Sequence, residues 1–244
     1  MVTIPFVHGA YDSIFAKDSA ILALHDGQPR ALLAQPRFSV RRVERIARAR
    51  HLSALGFDID RTLSDPLEGG DVVVLPDASC ALLGHGLRSS EAAASTLARF
   101  LGIEVVTLEL VDPALHHLDM ALTVLADGTV LVCEAAFTPA ALRKIHALPC
   151  TIIPVSRAEA SQFALDIVEL GSVVLTGANA PEVAAALQAA GREVVTLPLD
   201  EFHRAGGSAG SLISQIYLTP ERRGIVSRHD TTSELGALVE ATAA

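Results

Sequence analysis

Apolar and polar residues along this chain repeat one pattern: a short apolar strand, a turn, a second apolar strand, an alanine-rich helix and a closing β-branched strand. The first copy runs through SIFAKDSAILAL, RALLAQP, a helix near residues 41–55 and FDIDRTL. The second reads GGDVVVLP, CALLGHG, the helix SSEAAASTLARFLG and IEVVTLEL, and the third LDMALTVLADGTVLVCEAA, TPAALRKIHAL and CTIIPVS. The fourth contains ALDIVELGSVVLTG, APEVAAALQAAG and REVVTLPL, while a fifth starts at SLISQIYLTP and continues into a helix, TSELGALVEAT. Five units follow, at approximately 12–64, 67–111, 115–156, 163–199 and 202–244.

The fifth unit ends without a closing strand, and an unpaired sheet edge is a liability. The opening segment VTIPFV, residues 2–7, is therefore expected to complete it and join the two ends of the chain. Helix signals agree with the parse: Ser89 or Ser90 with Glu91, Thr138-Pro139, Ala180-Pro181, and Gly191 after the fourth helix. With no low-complexity linker, the chain reads as a single domain.

Polar residues interrupt the start of each unit at Asp18, Glu68, His117, Asp166 and Ser211, separated by 50, 49, 49 and 45 residues. Units related by rotation would turn these five groups toward one central cavity. The bland alternative is that strand starts leave loops and are often polar. Carboxylates with one histidine and one hydroxyl make a poor zinc set but suit a planar cation, whose N–H fork carboxylates accept bidentately. The histidine would shuttle protons.

Composition narrows the class. In 244 residues the chain is half hydrophobic and carries a net charge of −9 without a basic run, which argues against nucleic acid. No apolar stretch has the length for a bilayer span, and the first fifteen residues lack a basic signal-peptide start, so no membrane partner and a cytoplasmic location are expected. Cys80, Cys133 and Cys150 form no metal-binding or disulfide pattern.

Four segments carry a family resemblance, in order. DSIFAKD (Asp12 to Asp18), LEGGD (Leu67 to Asp71), LHHLDMAL (Leu115 to Leu122) and FHRAGGSAGSL (Phe202 to Leu212) resemble the signatures of the guanidino-group-modifying penteins. These are the arginine deiminases, dimethylarginine dimethylaminohydrolases and amidinotransferases. The resemblance implies a five-bladed α/β propeller and a cofactor-free, metal-free C–N hydrolase acting on arginine or a relative, and it admits a homodimer. It implies Glu68 and His117 as the acid/base pair and Asp18 as a clamp on the guanidinium nitrogens. Asp119 matches the second guanidinium-binding aspartate of the deiminases. Asp12, Phe15, Lys17 and Gly207 fall inside the matched motifs as substrate contacts. Arg41 and Arg88 match arginines that hold the substrate carboxylate or support the cavity. Asp166 lies near a family asparagine position, and Asp71 is either a turn group or a support for His117.

The departure is at the nucleophile, where the family's cysteine is Ser211 here. A serine hydroxyl ionises far less readily than a thiol, whose reference pKa is about 8.5. Three readings stand: an engineered Cys-to-Ser change, a silent guanidine binder, and a working serine activated by an adjacent histidine. Amidino transfer to an amine would use the same covalent intermediate. His116, next to His117, is expected to point to the opposite face of a strand.

Overall fold

The computed structural model describes residues 2–219. Its strands and helices follow the repeated word. Unit one has β1 (Ala20–His25), β2 (Gln28–Leu33), α1 (Arg42–Ala54) and β3 (Asp58–Asp60). Unit two has β4 (Val72–Val74), β5 (Cys80–His85), α2 (Ala94–Leu101) and β6 (Glu104–Glu109). A one-turn helix, α3 (Leu118–Ala121), opens unit three before β7 (Leu122–Val124), β8 (Val130–Val132), α4 (Pro139–His146) and β9 (Ile152–Pro154). After α5 (Arg157–Ala160) come β10 (Val168–Leu170), β11 (Val173–Thr176), α6 (Pro181–Ala189) and β12 (Glu193–Thr196). α7 (Asp200–Ala205) then leads to β13 (Ile216–Leu218).

Each sheet is built alike. The first two strands of a unit pair antiparallel and the third lies parallel to the second, beyond the crossover helix. A helix can return the chain to a parallel neighbour, which a tight turn cannot. Local chemistry starts and stops these helices. Ser90 accepts from the Ala92 amide and Thr138 from the Ala141 amide, whereas Gly102 ends α2 in the left-handed region at φ 71°. Leu97, Phe100 and Leu101 form the buried face of α2, packed with Leu83 and Ala81 of β5.

Two expectations are corrected. Residues 2–7 form no strand: Pro5 lacks a donor, and Val2 and Phe6 are exposed; separately, β13 pairs with the edge of β1, Leu22 opposite Ile216 and Leu24 opposite Leu218. The first unit's strand also begins at Ala20 instead of near Ser13, because Tyr11–Ile14 and Ala16–Ser19 wind into 3-10 turns. The rest of the fifth unit, with the helix TSELGALVEAT, lies outside the described residues.

Those turns belong to a general device. Asp18 sits in the turn before β1, Glu68 caps the 3-10 turn Gly69–Asp71 before β4, and His117 caps α3 before β7. Asp166 and Ser211 occupy turns ahead of β10 and β13. The in-register polar residues are thus turn residues preceding strands, and each is buried.

Candidate functional site

His117 is the hub of the first group. Its Nε2 lies 2.8 Å from Glu68 Oε2 and its Nδ1 is 3.7 Å from Asp18 Oδ1. Glu68 is fully buried. It accepts the Arg37 amide at 3.0 Å on Oε1, and Arg88 Nη1 stands 3.4 Å from Oε2. Burial works against a charged His117, but Asp18, Asp71 and Glu68 outweigh it and raise the pKa to about 10. Burial likewise opposes the charge on Asp18, yet His117 and Arg41 hold its pKa down to about 2. For Glu68 the balance is the same, with burial overcome chiefly by His117, and the carboxyl sits below its ordinary value. The result is an imidazolium clasped by two carboxylates.

Glycine makes this approach possible. A Cβ on Gly70 would stand 2.8 Å from Asp18 Oδ1 and 2.9 Å from His117 Nδ1, and the Gly70 amide donates to that same Asp18 oxygen at 3.0 Å. Gly70→Ala is expected to force the pair apart and lower turnover about 10²-fold, the scale of a 1 Å misplacement of reacting groups. Comparing kcat at unchanged protein concentration checks it.

Ser211 and Asp166 form the second group. Ser211 donates its hydroxyl to Asp166 Oδ2 at 2.7 Å and its amide to Oδ1 at 2.8 Å, while the Ser208 amide donates to Oδ2 at 2.6 Å. Burial, then Asp119, raises the Asp166 pKa to about 6. Adjacent residues of one turn reach both groups: the Lys17 amide donates to the Ser211 carbonyl at 3.2 Å, and Asp18 meets His117. Gly207 lies against the Phe15 ring and Ser211, where an added Cβ would come within 2.5 Å of Phe15 Cε1.

Lys17 Nζ is 2.8 Å from Asp119 Oδ2, and Asp119 Oδ1 is buried without a hydrogen-bond partner. Burial disfavours the Lys17 charge, but Asp119, Tyr217 and Asp166 hold its pKa well above the usual lysine value. Lys17, Asp119 and Asp166 border a cavity of about 320 Å³ lined by β4, β7 and β13.

Arg41 stands behind Asp18: it donates to Asp18 Oδ2 at 2.7 Å, to both oxygens of Glu44 at 2.8 and 3.0 Å, and to the Asp12 carbonyl at 3.1 Å. Those donors are spent inside the protein, which favours the second of the two roles that the resemblance allows Arg41, support of the cavity. Asp12 lies on a surface turn with its side chain exposed, and its backbone carbonyl is what contacts the cluster. His116 does not face away from His117, for their ring centroids are 4.9 Å apart. Residues 113–117 form turns and not a strand, so alternation does not apply. Arg88 is half-exposed, stacked on Phe38 at 4.9 Å.

Reading the sequence missed several members. Ser89 accepts the Glu68 amide at 3.0 Å and donates to Asp71 at 2.6 Å, and Asp71 accepts the Leu118 amide at 3.0 Å beside His117. Burial pushes the Asp71 pKa up to about 7. Glu44, which locks Arg41, carried no motif, whereas His203 and Ser208, 3.0 Å apart, lie within the matched segment Phe202 to Leu212.

Ligand atoms of Asp18, Glu68 and His117 fall within 4.8 Å of one another, a spacing open to a metal ion. Glu68 and His117 are already hydrogen-bonded at 2.8 Å, and Arg41 is paired with Asp18. The group therefore suits an organic cation with N–H donors better than a divalent ion.

Comparison with known proteins agrees with this geometry. Residues 7–218 match the family described as N,N dimethylarginine dimethylhydrolase, eukaryotic. The chain is 35% identical over 211 residues to the N(G),N(G)-dimethylarginine dimethylaminohydrolase of Mycobacterium tuberculosis, covering 86% of this chain and 68% of that one. It is 32% identical over 154 residues to the bifunctional arginine dihydrolase/ornithine cyclodeaminase AgrE of a Nostoc species, covering 62% of this chain and 22% of the relative. Among solved structures, the N-terminal domain of the cyanobacterial arginine dihydrolase ArgZ, a cysteine-to-serine mutant bound to substrate, superposes with a TM-score of 0.82. That match is 26% identical and covers 88% of this chain and 80% of that one. The dimethylargininase of Pseudomonas aeruginosa shares the fold, with a TM-score of 0.69 at 17% identity and coverage of 84% and 77%. No helix among the described residues is long and apolar enough to cross a membrane. A repeated ββαβ plan, a buried Asp–His–Glu cluster and these relatives together make the chain a member of the dimethylarginine dimethylaminohydrolase family, in the guanidino-modifying branch of the pentein superfamily.

Proposed function

We propose that the chain hydrolyses a C–N bond of a guanidino compound, arginine or a methylated relative, through a covalent amidino-enzyme intermediate. The observation that carries this reading is the imidazolium of His117, fixed between Glu68 and Asp18 in a buried site. His117, charged at neutral pH, donates its proton to the departing amine and recovers one from the water that attacks next. Glu68 keeps the ring oriented. Asp18 and the unpartnered Asp119 Oδ1 accept N–H donors of the planar substrate. Arg88, unlike Arg41, keeps partial exposure from which to meet a substrate carboxylate, and Phe15 with Gly207 shapes the wall beside Ser211. Ser211 supplies the attacking oxygen.

The test is incubation of the purified protein with L-arginine, mono- and dimethylarginine and agmatine, following ureido product and released amine, with and without a metal chelator. Turnover of one of them, unaffected by the chelator, is expected. Neither turnover nor calorimetric binding of any guanidine would end the proposal.

A further inference from the structure

The Ser211 hydroxyl does not stand alone. Its proton points at a buried carboxylate, Asp166 Oδ2 at 2.7 Å. That carboxylate is itself immobilised by two backbone amides, Ser208 at 2.6 Å and Ser211 at 2.8 Å. Gly210 is what lets the chain close over it, since a Cβ there would come within 2.5 Å of Asp166 Oδ1. Next to the amides, Ser208 is fully buried with its hydroxyl 3.0 Å from His203 Nε2, and His203 stacks on Phe163, so the turn 208–211 is held from both ends. This is a poor neighbourhood for a thiolate, which would face a second anion at hydrogen-bond distance. It is a good one for an alcohol, whose proton needs a base within reach.

We infer that Asp166 and Ser211 act as a catalytic Ser–Asp dyad, Asp166 being the base that makes serine serviceable where relatives use cysteine. The inference rests on the proposed function for its substrate but not for its base. As the Ser211 oxygen bonds to the guanidinium carbon, its proton passes to Asp166 Oδ2. The C–N bond to the amine then breaks, with the nitrogen taking a proton from His117. Water adds to the amidino carbon and gives a proton back to His117. The C–O bond to Ser211 breaks as Asp166 returns its proton, and the protonated urea releases its extra proton to solvent. No oxidant or further reactant enters.

A fluorophosphonate tests the dyad without any guanidine. Its phosphorus bonds to the serine oxygen, fluoride leaves, and intact-mass and peptide analysis locate the adduct. Labelling of Ser211 is expected, at a rate that climbs with pH as Asp166 ionises and levels off above about pH 6. Asp166→Asn is expected to slow it roughly 10²-fold or more, and Ser211→Ala to abolish the adduct. Ser211 labelling that is absent, flat across pH 4–8, or unchanged in a folded Asp166→Asn protein overturns the dyad. Should that variant not fold, the pH profile of the unaltered protein decides alone. The guanidine panel is read separately: labelling without guanidine turnover keeps the dyad and rejects the substrate.

Discussion

His117→Asn is expected to lower guanidine hydrolysis by roughly 10²–10⁴-fold, the usual contribution of a positioned acid–base group. The substitution removes the histidine placed between Glu68 and Asp18 and leaves two buried carboxylates facing a cationic substrate without that proton donor. Because the loss falls on a step after binding, kcat should drop far more than KM rises, and initial rates across a substrate series measure both. Folding has its own sign. The His117 pKa is raised in the folded state to about 10, so its charge stabilises the protein fully below the unfolded value near 6.5, and this contribution fades as pH rises through 10. Asp71 and Asp166 act in the same direction from the other side: their carboxyls are raised by burial to about 7 and about 6, so ionising them in the fold costs stability as pH climbs past 4. Denaturant midpoints are therefore expected to decline from pH 5 to pH 9, and His117→Asn should flatten the alkaline part of that decline.

Arg41→Met should cost about 3–5 kcal/mol of folding stability, the scale of removing one partner from a buried ion pair. Arg41 is almost wholly buried and bonds simultaneously to Asp18, Glu44 and the Asp12 carbonyl. Its removal would strand two carboxylates in the interior, and burial already pushes the Glu44 pKa upward against the pull of Arg41. Asp18 contributes stability above its unfolded pKa of about 3.8, lost as pH falls through its folded value near 2. Without Arg41 that folded value rises, so acid unfolding should begin at higher pH. Urea melts at pH 7 and pH 4 read both effects, and a variant as stable as the parent at each would remove the supporting role and leave Arg41 to the substrate carboxylate.

The interior contacts of Arg41 show where sequence reading reached its limit. The spacing of Asp18, Glu68, His117, Asp166 and Ser211 was legible because each unit begins with the same turn-then-strand step, and these turns supply both the Asp18–His117–Glu68 group and the Asp166–Ser211 pair. The pairings within the set were not. Nothing in the string VRRVE says which arginine turns inward; the answer depends on how α1 docks, and Arg41 lies inside while Arg42 is exposed. Ser89 holds Glu68 and Asp71 from a loop with no signature, through contacts 21 and 18 residues away. VTIPFV has the apolar content of a strand, but Pro5 lacks the donor a ladder needs, and the fifth unit it was expected to complete continues outside the described residues. Alternation misplaced His116 because the segment before α3 is a turn, where side chains need not alternate.

The partnership of β1 with β13 ties Leu22–Leu24 to Ile216–Leu218, nearly the whole described chain apart. Contacts of such long sequence separation form late, since a large loop must close before they are rewarded. During synthesis, the first three units emerge with His117 and its carboxylates already encoded, yet the hydroxyl and its base meet only after residue 211 has left the ribosome. A chain halted before residue 211 would thus carry the proton donor without the hydroxyl and carboxylate pair, so the two halves of the site come together only once the fifth unit's first segment has been made.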